Sequence, residues 1–335
     1  MASQGISFKD LTTLRVGGPV AHLERPESPE ECIALVAELD RKNKPLLILG
    51  GGSNICAPDA GYAGTVVIPS FSSFLFEPAR EQVRVTAEAG MVWDALVAET
   101  VARGLWGLEN LSGIPGTVGA APIQNIGAYG AQVSDRIEKV VAYDRREKRV
   151  RTLATRELDF EYRNSVLKKE LERFVVLRVS FLLTRNGTPH RAYKDLAEYW
   201  NDAVPSLAGM REAVVSIRND KFPDMAEYGT AGSFFLNPVL EQRHAARLVK
   251  EFPALPHFRE GDSAKVSLAW LFDHVLEAKG LSVGGAFVWH RQPLVIATRE
   301  QATAEDISAL AQLLQEKMYE TLGVHIVPEV NIVAL

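Results

Sequence analysis

Residues 112–130 read SGIPGTVGAAPIQNIGAYG, a run of 19 with five glycines and two prolines among small and apolar side chains. The run shows neither the 3.6-residue period of a helix nor the alternation of a strand. It is too apolar for a disordered linker. A long ordered loop without regular structure is functional more often than not, the plain alternative being a surface Ω-loop. Flat apolar walls with backbone donors suit a large planar cofactor. Any fold for this chain must present that loop from between regular elements.

A second glycine-rich stretch, Gly50-Gly51-Gly52-Ser53-Asn54, follows the short apolar run 46–49 directly. Glycines admit positive φ, so successive N–H groups can converge on one anion, and Ser53 and Asn54 add side-chain donors. Alone, the triplet reads equally well as a tight turn. It is not GxGxxG, it has no acidic residue about 20 positions on, and it has no GK[ST].

Around these loops the periodicity predicts mixed elements. Ser28-Pro29-Glu30-Glu31 opens a helix with a capping box. Residues 83–89 alternate as a half-buried strand, and 92–103 form a helix stopped by Gly104. Residues 137–143 and 149–155 form a hairpin across 144–148, and 174–183 is a strand. Helices are expected at 207–218, 240–252 and 266–278, and another starts from Thr303 with Asp306 as capping partner. Residues 325–333 form a last strand interrupted by Pro328. Without strict βαβ repetition the class is α+β.

With 335 residues the chain makes roughly two domains. A net charge of −5 excludes the electrostatic footprint of a nucleic-acid or anionic-membrane binder. No run nears the roughly 20 apolar residues of a membrane span, and the N-terminus lacks a signal-peptide pattern. Cys32 and Cys56 read as reduced thiols of a cytosolic protein. The seven histidines form no HxH or HxxxH pair, so no metal is expected.

LTTLRVGG, LGGGSN, GLENLSGIPGTVGAAPIQNIGAYG, YRNS, GSFFLNPV, KGLSVGGA and PEV follow one another along the chain. In this order they resemble the UDP-N-acetylenolpyruvoylglucosamine reductase family over nearly the whole length. The resemblance implies an FAD-binding domain of the vanillyl-alcohol-oxidase type and a C-terminal α+β substrate domain. The expected division is 1–68 with a C-terminal strand 326–335, then 69–222, then the substrate domain 223–325. It implies non-covalent FAD, NADPH as electron donor, and a monomer acting on UDP-N-acetylglucosamine enolpyruvate. The flavin N5 hydride would go to C3 of the enolpyruvyl group, and a proton donor must then reach C2. The longer subclass of the family, with a tyrosine on a mobile loop, is the implied one.

Residue by residue, the resemblance assigns FAD to both loops. These positions are Gly50, Gly51, Gly52, Ser53, Asn54, Gly113, Ile114, Pro115, Gly116, Gly119, Ala120, Ile123, Gln124, Asn125, Gly127 and Tyr129, with Arg15 assisting. Ser233 matches the proton donor, which locally could equally be an ST-turn serine. A serine hydroxyl serves as acid only when held against a strongly basic carbanion. Arg163 matches the residue that binds the enolpyruvyl carboxylate, and Glu329 the one that orients the reacting end; local pattern alone would also allow surface ion pairs. Tyr193, Lys221, Asn237 and Lys279 match substrate contacts. Pro293 departs from the family by replacing a second glutamine, which leaves a uridine contact to Gln292. Cys56 replaces an aliphatic residue.

Two other classes compete. A flavin oxidase of the same cofactor fold would commonly carry a histidine for covalent attachment, and neither loop has one. A catalytically silent nucleotide binder would not need Arg163, Ser233 and Glu329 together.

Overall fold

In the computed structural model, which describes residues 5–201 and 203–333, the alternating run forms the strand Gln82–Glu88. Val85 and Ala87 are buried on its inner face. The strand belongs to a five-stranded antiparallel sheet ordered Arg149–Ala154, Ile137–Asp144, Phe174–Thr184, Gln82–Glu88, Phe74–Ala79. The expected hairpin joins the first two. Two bulges, at Val176/Arg178 and Ser180/Phe181, bend the long third strand. Phe74–Ala79 escapes the sequence reading because Pro78 argues against a strand. It lies at the edge, where proline is tolerated.

The helix Trp93–Ala102 packs against this sheet. Trp93 meets Phe181 edge-on at 5.9 Å between ring centroids. Its Nε1 donates to the Leu111 carbonyl at 2.9 Å, tying the helix to the start of the long loop. A three-stranded sheet, ordered Val20–Glu24, Tyr62–Val67, Leu46–Ile48, delivers the chain into the first glycine loop. The helix Pro29–Arg41 is capped by Ser28, whose side chain accepts from Glu31 N at 3.1 Å. The Glu31 carboxylate takes the Glu27 amide at 2.7 Å, so the expected capping box is shifted by one residue.

Two compact units divide the chain. One takes in Val20–Gly51 and Ala63–Arg218. The other takes in residues 5–19, Gly52–Tyr62 and those from Asn219 onward. Residues 1–4, 202 and 334–335, which the expected subdomains include, lie outside the described residues.

The second unit has a four-stranded sheet ordered Gly229–Ser233, Val295–Thr298, Ala286–Val288, Ser282–Val283. The helix Ala304–Leu322 packs on it through Ile307, Leu310, Leu314 and Met318. Its expected capping box of Thr303 and Asp306 is present, and Gly323 ends it at φ 67°. The helix expected at 266–278 is only Leu268–His274. Val266 instead closes the strand Ser263–Val266, and Glu277 turns left-handed at φ 46°. The expected last strand shrinks to Asn331–Ile332, parallel to Ile55–Cys56, plus a bridge between Pro328 and Phe235.

Cys32 and Cys56 are buried, and burial pushes each thiol up to about 11. Among the described residues no helix is long and apolar enough to cross a membrane. Among those residues no group of His, Cys, Asp and Glu is placed to hold a metal.

Candidate active site

Within the first unit, Gly50 and Gly51 abut the long loop. A Cβ on Gly51 would stand 2.7 Å from Gly116 Cα, and one on Gly50 2.8 Å from Thr117 Oγ1. The long loop is laced to residues 89–93 by Trp93 N to Gly116 O at 3.0 Å, Val118 N to Met91 O at 2.8 Å, and Gly119 N to Ala89 O at 2.9 Å. Among the described residues the amides of Gly50, Gly51 and Gly116 meet no acceptor. Clustered N–H groups of this kind make an anion-binding concavity. Ile114, Ile123, Ile126 and Ala128 of the same long loop are half-buried apolar residues packed against the core. Backbone donors and apolar residues on one loop fit a diphosphate joined to a flat ring system, as FAD requires.

Residues that sequence reasoning missed fasten the long loop. Asp94, in the first turn of Trp93–Ala102, accepts Gly113 N at 2.6 Å and holds Arg211 bidentately at 2.6 and 2.7 Å. Burial pushes its carboxyl up, but Arg211 and the Gly113 amide outweigh burial and hold it below the usual range. Arg218 donates to the Gly113 carbonyl at 3.1 Å, and burial lowers its guanidinium. Asn110 gives both side-chain protons away, to Tyr129 O at 2.9 Å and His190 O at 2.7 Å. Asn110 lies inside the GLENLSG motif, so the motif was a signal for it. Arg211 and Arg218 carry no local sign, because their partners lie about a hundred residues away.

Arg163 is placed against the same loop. Its guanidinium donates to Gly127 O at 2.5 Å and Asn125 O at 3.5 Å, and stands 5.5 Å from the Tyr162 ring. Arg163, Asn125 and Tyr129 are all left-handed, at φ 54°, 47° and 49°. Asparagine tolerates that region; arginine and tyrosine are strained there. The Asn125 side chain is spent inside the protein, on Gln132 Oε1, Glu161 O and Ser134 N. A part for Asn125 in cofactor binding therefore falls to its backbone. Tyr129 is buried, which pushes its phenol up to about 12.

In the second unit Ser233 ends the strand Gly229–Ser233 after the left-handed Gly232 at φ 75°. Its hydroxyl has no hydrogen-bond partner among the described residues, and the residue is half-buried. Glu329 runs beside it. The Glu329 amide donates to Phe234 O at 2.8 Å, and Asn54 Nδ2 donates to Glu329 O at 3.2 Å. Ser233, Glu329 and the end of the first glycine loop are thus neighbours along one set of hydrogen-bonded segments. Arg163 belongs to the first unit.

The expected substrate residues fall in different settings. Tyr193 packs edge-on against Tyr129 at 5.5 Å and is 46% exposed, so its ring has a free face. Lys221 is the last residue of the helix Leu207–Lys221. Asn237 Oδ1 accepts Leu268 N at 2.9 Å, and Lys279 pairs with Asp273 at 2.7 Å. Gln292 curls onto its own turn, its side-chain oxygen accepting Leu294 N at 3.4 Å. Arg15, expected beside the cofactor, turns its guanidinium to the carbonyls of Met225 and Ala226.

Residues 20–152 match the family model described as an FAD binding domain. Residues 224–333 match the C-terminal domain of UDP-N-acetylenolpyruvoylglucosamine reductase. The enzyme of that name from Thermobifida fusca is 39% identical over 98% of this chain and 96% of its own length. The one from Pseudomonas aeruginosa is 37% identical over 93% of this chain and 92% of its own. The crystal structure of UDP-N-acetylenolpyruvylglucosamine reductase from Thermus caldophilus superposes with a TM-score of 0.70 at 26% identity, covering 98% of both chains. Matched along its length and carrying the abutting glycine loops, this chain belongs to the UDP-N-acetylenolpyruvoylglucosamine reductase family.

Proposed function

We propose that this chain reduces the enolpyruvyl group of UDP-N-acetylglucosamine enolpyruvate to give UDP-N-acetylmuramate, a precursor of peptidoglycan, as a cytoplasmic monomer. The observation that carries the reading is the unpaired amide cluster where the two glycine loops abut, with Arg163 seated on the second. When bound, FAD supplies the hydride for C3 of the enolpyruvyl group, with NADPH as the external donor.

The protein's own residues then have distinct tasks. The glycine amides and the apolar residues of the long loop bind and orient the cofactor. Arg163 binds the substrate carboxylate, and a fixed guanidinium there favours the enolate-like charge that builds up toward C2. Ser233 gives its proton to C2. Among the described residues its hydroxyl is committed to none, so none of their hydrogen bonds has to break before transfer. Glu329 orients the reacting end from the segment beside it. Tyr193, Lys221, Asn237 and Lys279 bind the nucleotide, with Lys279 sharing its charge with Asp273.

Stopped-flow spectroscopy of Ser233→Ala tests this directly. Reduction of the flavin by NADPH should stay near normal. Its reoxidation by the enolpyruvyl nucleotide should slow by about 10²–10⁴-fold, the usual contribution of a positioned acid. Reoxidation at the parent rate would refute the role of Ser233, and purified protein with no flavin absorbance would refute the whole reading.

A further inference from the structure

We infer that Ser165 is a positioning residue for Arg163, acting through the flavin loop; this rests on the carboxylate-binding role proposed for Arg163. Residues 161–164 form a tight turn closed by Glu161 N to Asn164 O at 3.0 Å and Asn164 N to Glu161 O at 3.2 Å. Arg163 is its third residue, at φ 54°. Glycine is favoured there because a Cβ crowds the backbone. Left-handed arginine persists only where its surroundings over-determine it.

Side chains provide that constraint. Ser165 is fully buried, and its Oγ donates to the Ile123 carbonyl of the long loop at 2.6 Å while accepting Lys168 N at 3.3 Å. Asn125 Nδ2 reaches Glu161 O at 3.1 Å, and Lys168 Nζ reaches Arg163 O at 3.3 Å. The Glu161 carboxylate also takes Asn164 Nδ2 at 2.9 Å and Lys169 Nζ at 3.2 Å, and further ties come from the Arg163 guanidinium, to Asn125 and Gly127. A substrate carboxylate competes for that guanidinium. Once it is engaged, the turn is held by ties that do not involve it, and the bond from Ser165 to Ile123 is the shortest of these. Without it the turn can relax toward an ordinary φ and carry Arg163 away. A displacement of about 1 Å at a reacting group can cost as much as 10²-fold in rate.

The test is a double-mutant cycle with the flavin-loaded enzyme and both half-reactions followed separately. Ser165→Ala should slow reoxidation by the enolpyruvyl nucleotide about tenfold or more. Reduction by NADPH should stay close to the parent, while the lost buried hydrogen bond lowers the melting temperature by only a few degrees and FAD affinity measured by fluorescence changes far less than reoxidation. In an Arg163→Lys background the same Ser165→Ala change should cause little further loss, because both act through one group. An equal further loss in that background, an equal fall of both half-reactions, or no effect of Ser165→Ala beside an impaired Arg163→Lys would each overturn this inference alone. Arg163→Lys with parental reoxidation would overturn the role of Arg163 and this inference with it. If Ser165→Ala does not fold, Ser165→Cys, close in shape with only a weak S–H donor, serves in its place.

Discussion

Among the described residues the amides of Gly50 and Gly51 meet no acceptor, and Gly51 packs closely against the Gly116 backbone. In residues 112–130 the backbone is tied down by side chains from elsewhere, among them Asp94, Arg218, Asn110, Arg163 and Ser165. Gly50 and Gly51 depend on the absence of side chains; the second loop depends on the presence of particular ones. A substitution should therefore act on the first loop through bulk and on the second through lost bonds.

The largest effect should come from Gly51→Ala. The added methyl meets the Gly116 backbone at 2.7 Å, which cannot rotate aside. Overpacking of this kind costs about 2 kcal/mol, or roughly 30-fold in FAD affinity measured by fluorescence titration of the apoprotein. Gly50→Ala meets the Thr117 hydroxyl first and should cost less. Equal losses in the two variants would break the argument that backbone contact is what matters.

Asp94→Asn probes the second loop. Arg211 and Gly113 would lose a carboxylate that is partly buried, a loss of about 1–2 kcal/mol by thermal or urea unfolding near pH 7. The native Asp94 carboxyl is held low, so its stabilisation is complete above its unfolded value, about 3.9, and disappears as pH falls through the folded value. The gap between parent and variant should close below pH 4. A gap that persists in acid would show the loss to be steric rather than ionic.

The smallest effect is expected at Tyr193→Ala, which removes one edge-on ring contact at the margin of the second loop. Nucleotide affinity should weaken by about fivefold, in line with roughly 1 kcal/mol for an aromatic pair. Hydride transfer at saturating nucleotide should hardly change. Unchanged affinity in an equilibrium titration would remove Tyr193 from the substrate site.

Much of this was legible in the chain itself. The loop 112–130 announces itself by composition, and the Thr303 cap and the strand at 83–89 follow from local rules. What was not legible is long-range. Arg211 answers Asp94 across 117 residues, and nothing beside either marks the other. Asn110 and Ser165 sit inside motifs that were seen, yet single-residue spacing does not say which side chain of a motif faces inward. Phe74–Ala79 was hidden by Pro78, whose meaning depends on whether a strand is central or at an edge. The short Leu268–His274 helix was overextended because Val266 of the preceding strand and Val275, Leu276 and Ala278 beyond its end continue the apolar pattern.

That edge strand has a consequence for how the molecule behaves in a crowded solution. An open sheet edge is a template on which another chain can add a strand. Here the residues at one border include Pro78, which has no N–H to offer, and Phe76 lies under the Arg103 guanidinium at 4.5 Å. The opposite border, Arg149–Ala154, carries Arg149 and Arg151. Both borders of the sheet that backs the cofactor loop are therefore poor seeds for fibrillar growth, so concentrated or freshly synthesised protein should stay in solution without a partner to mask them.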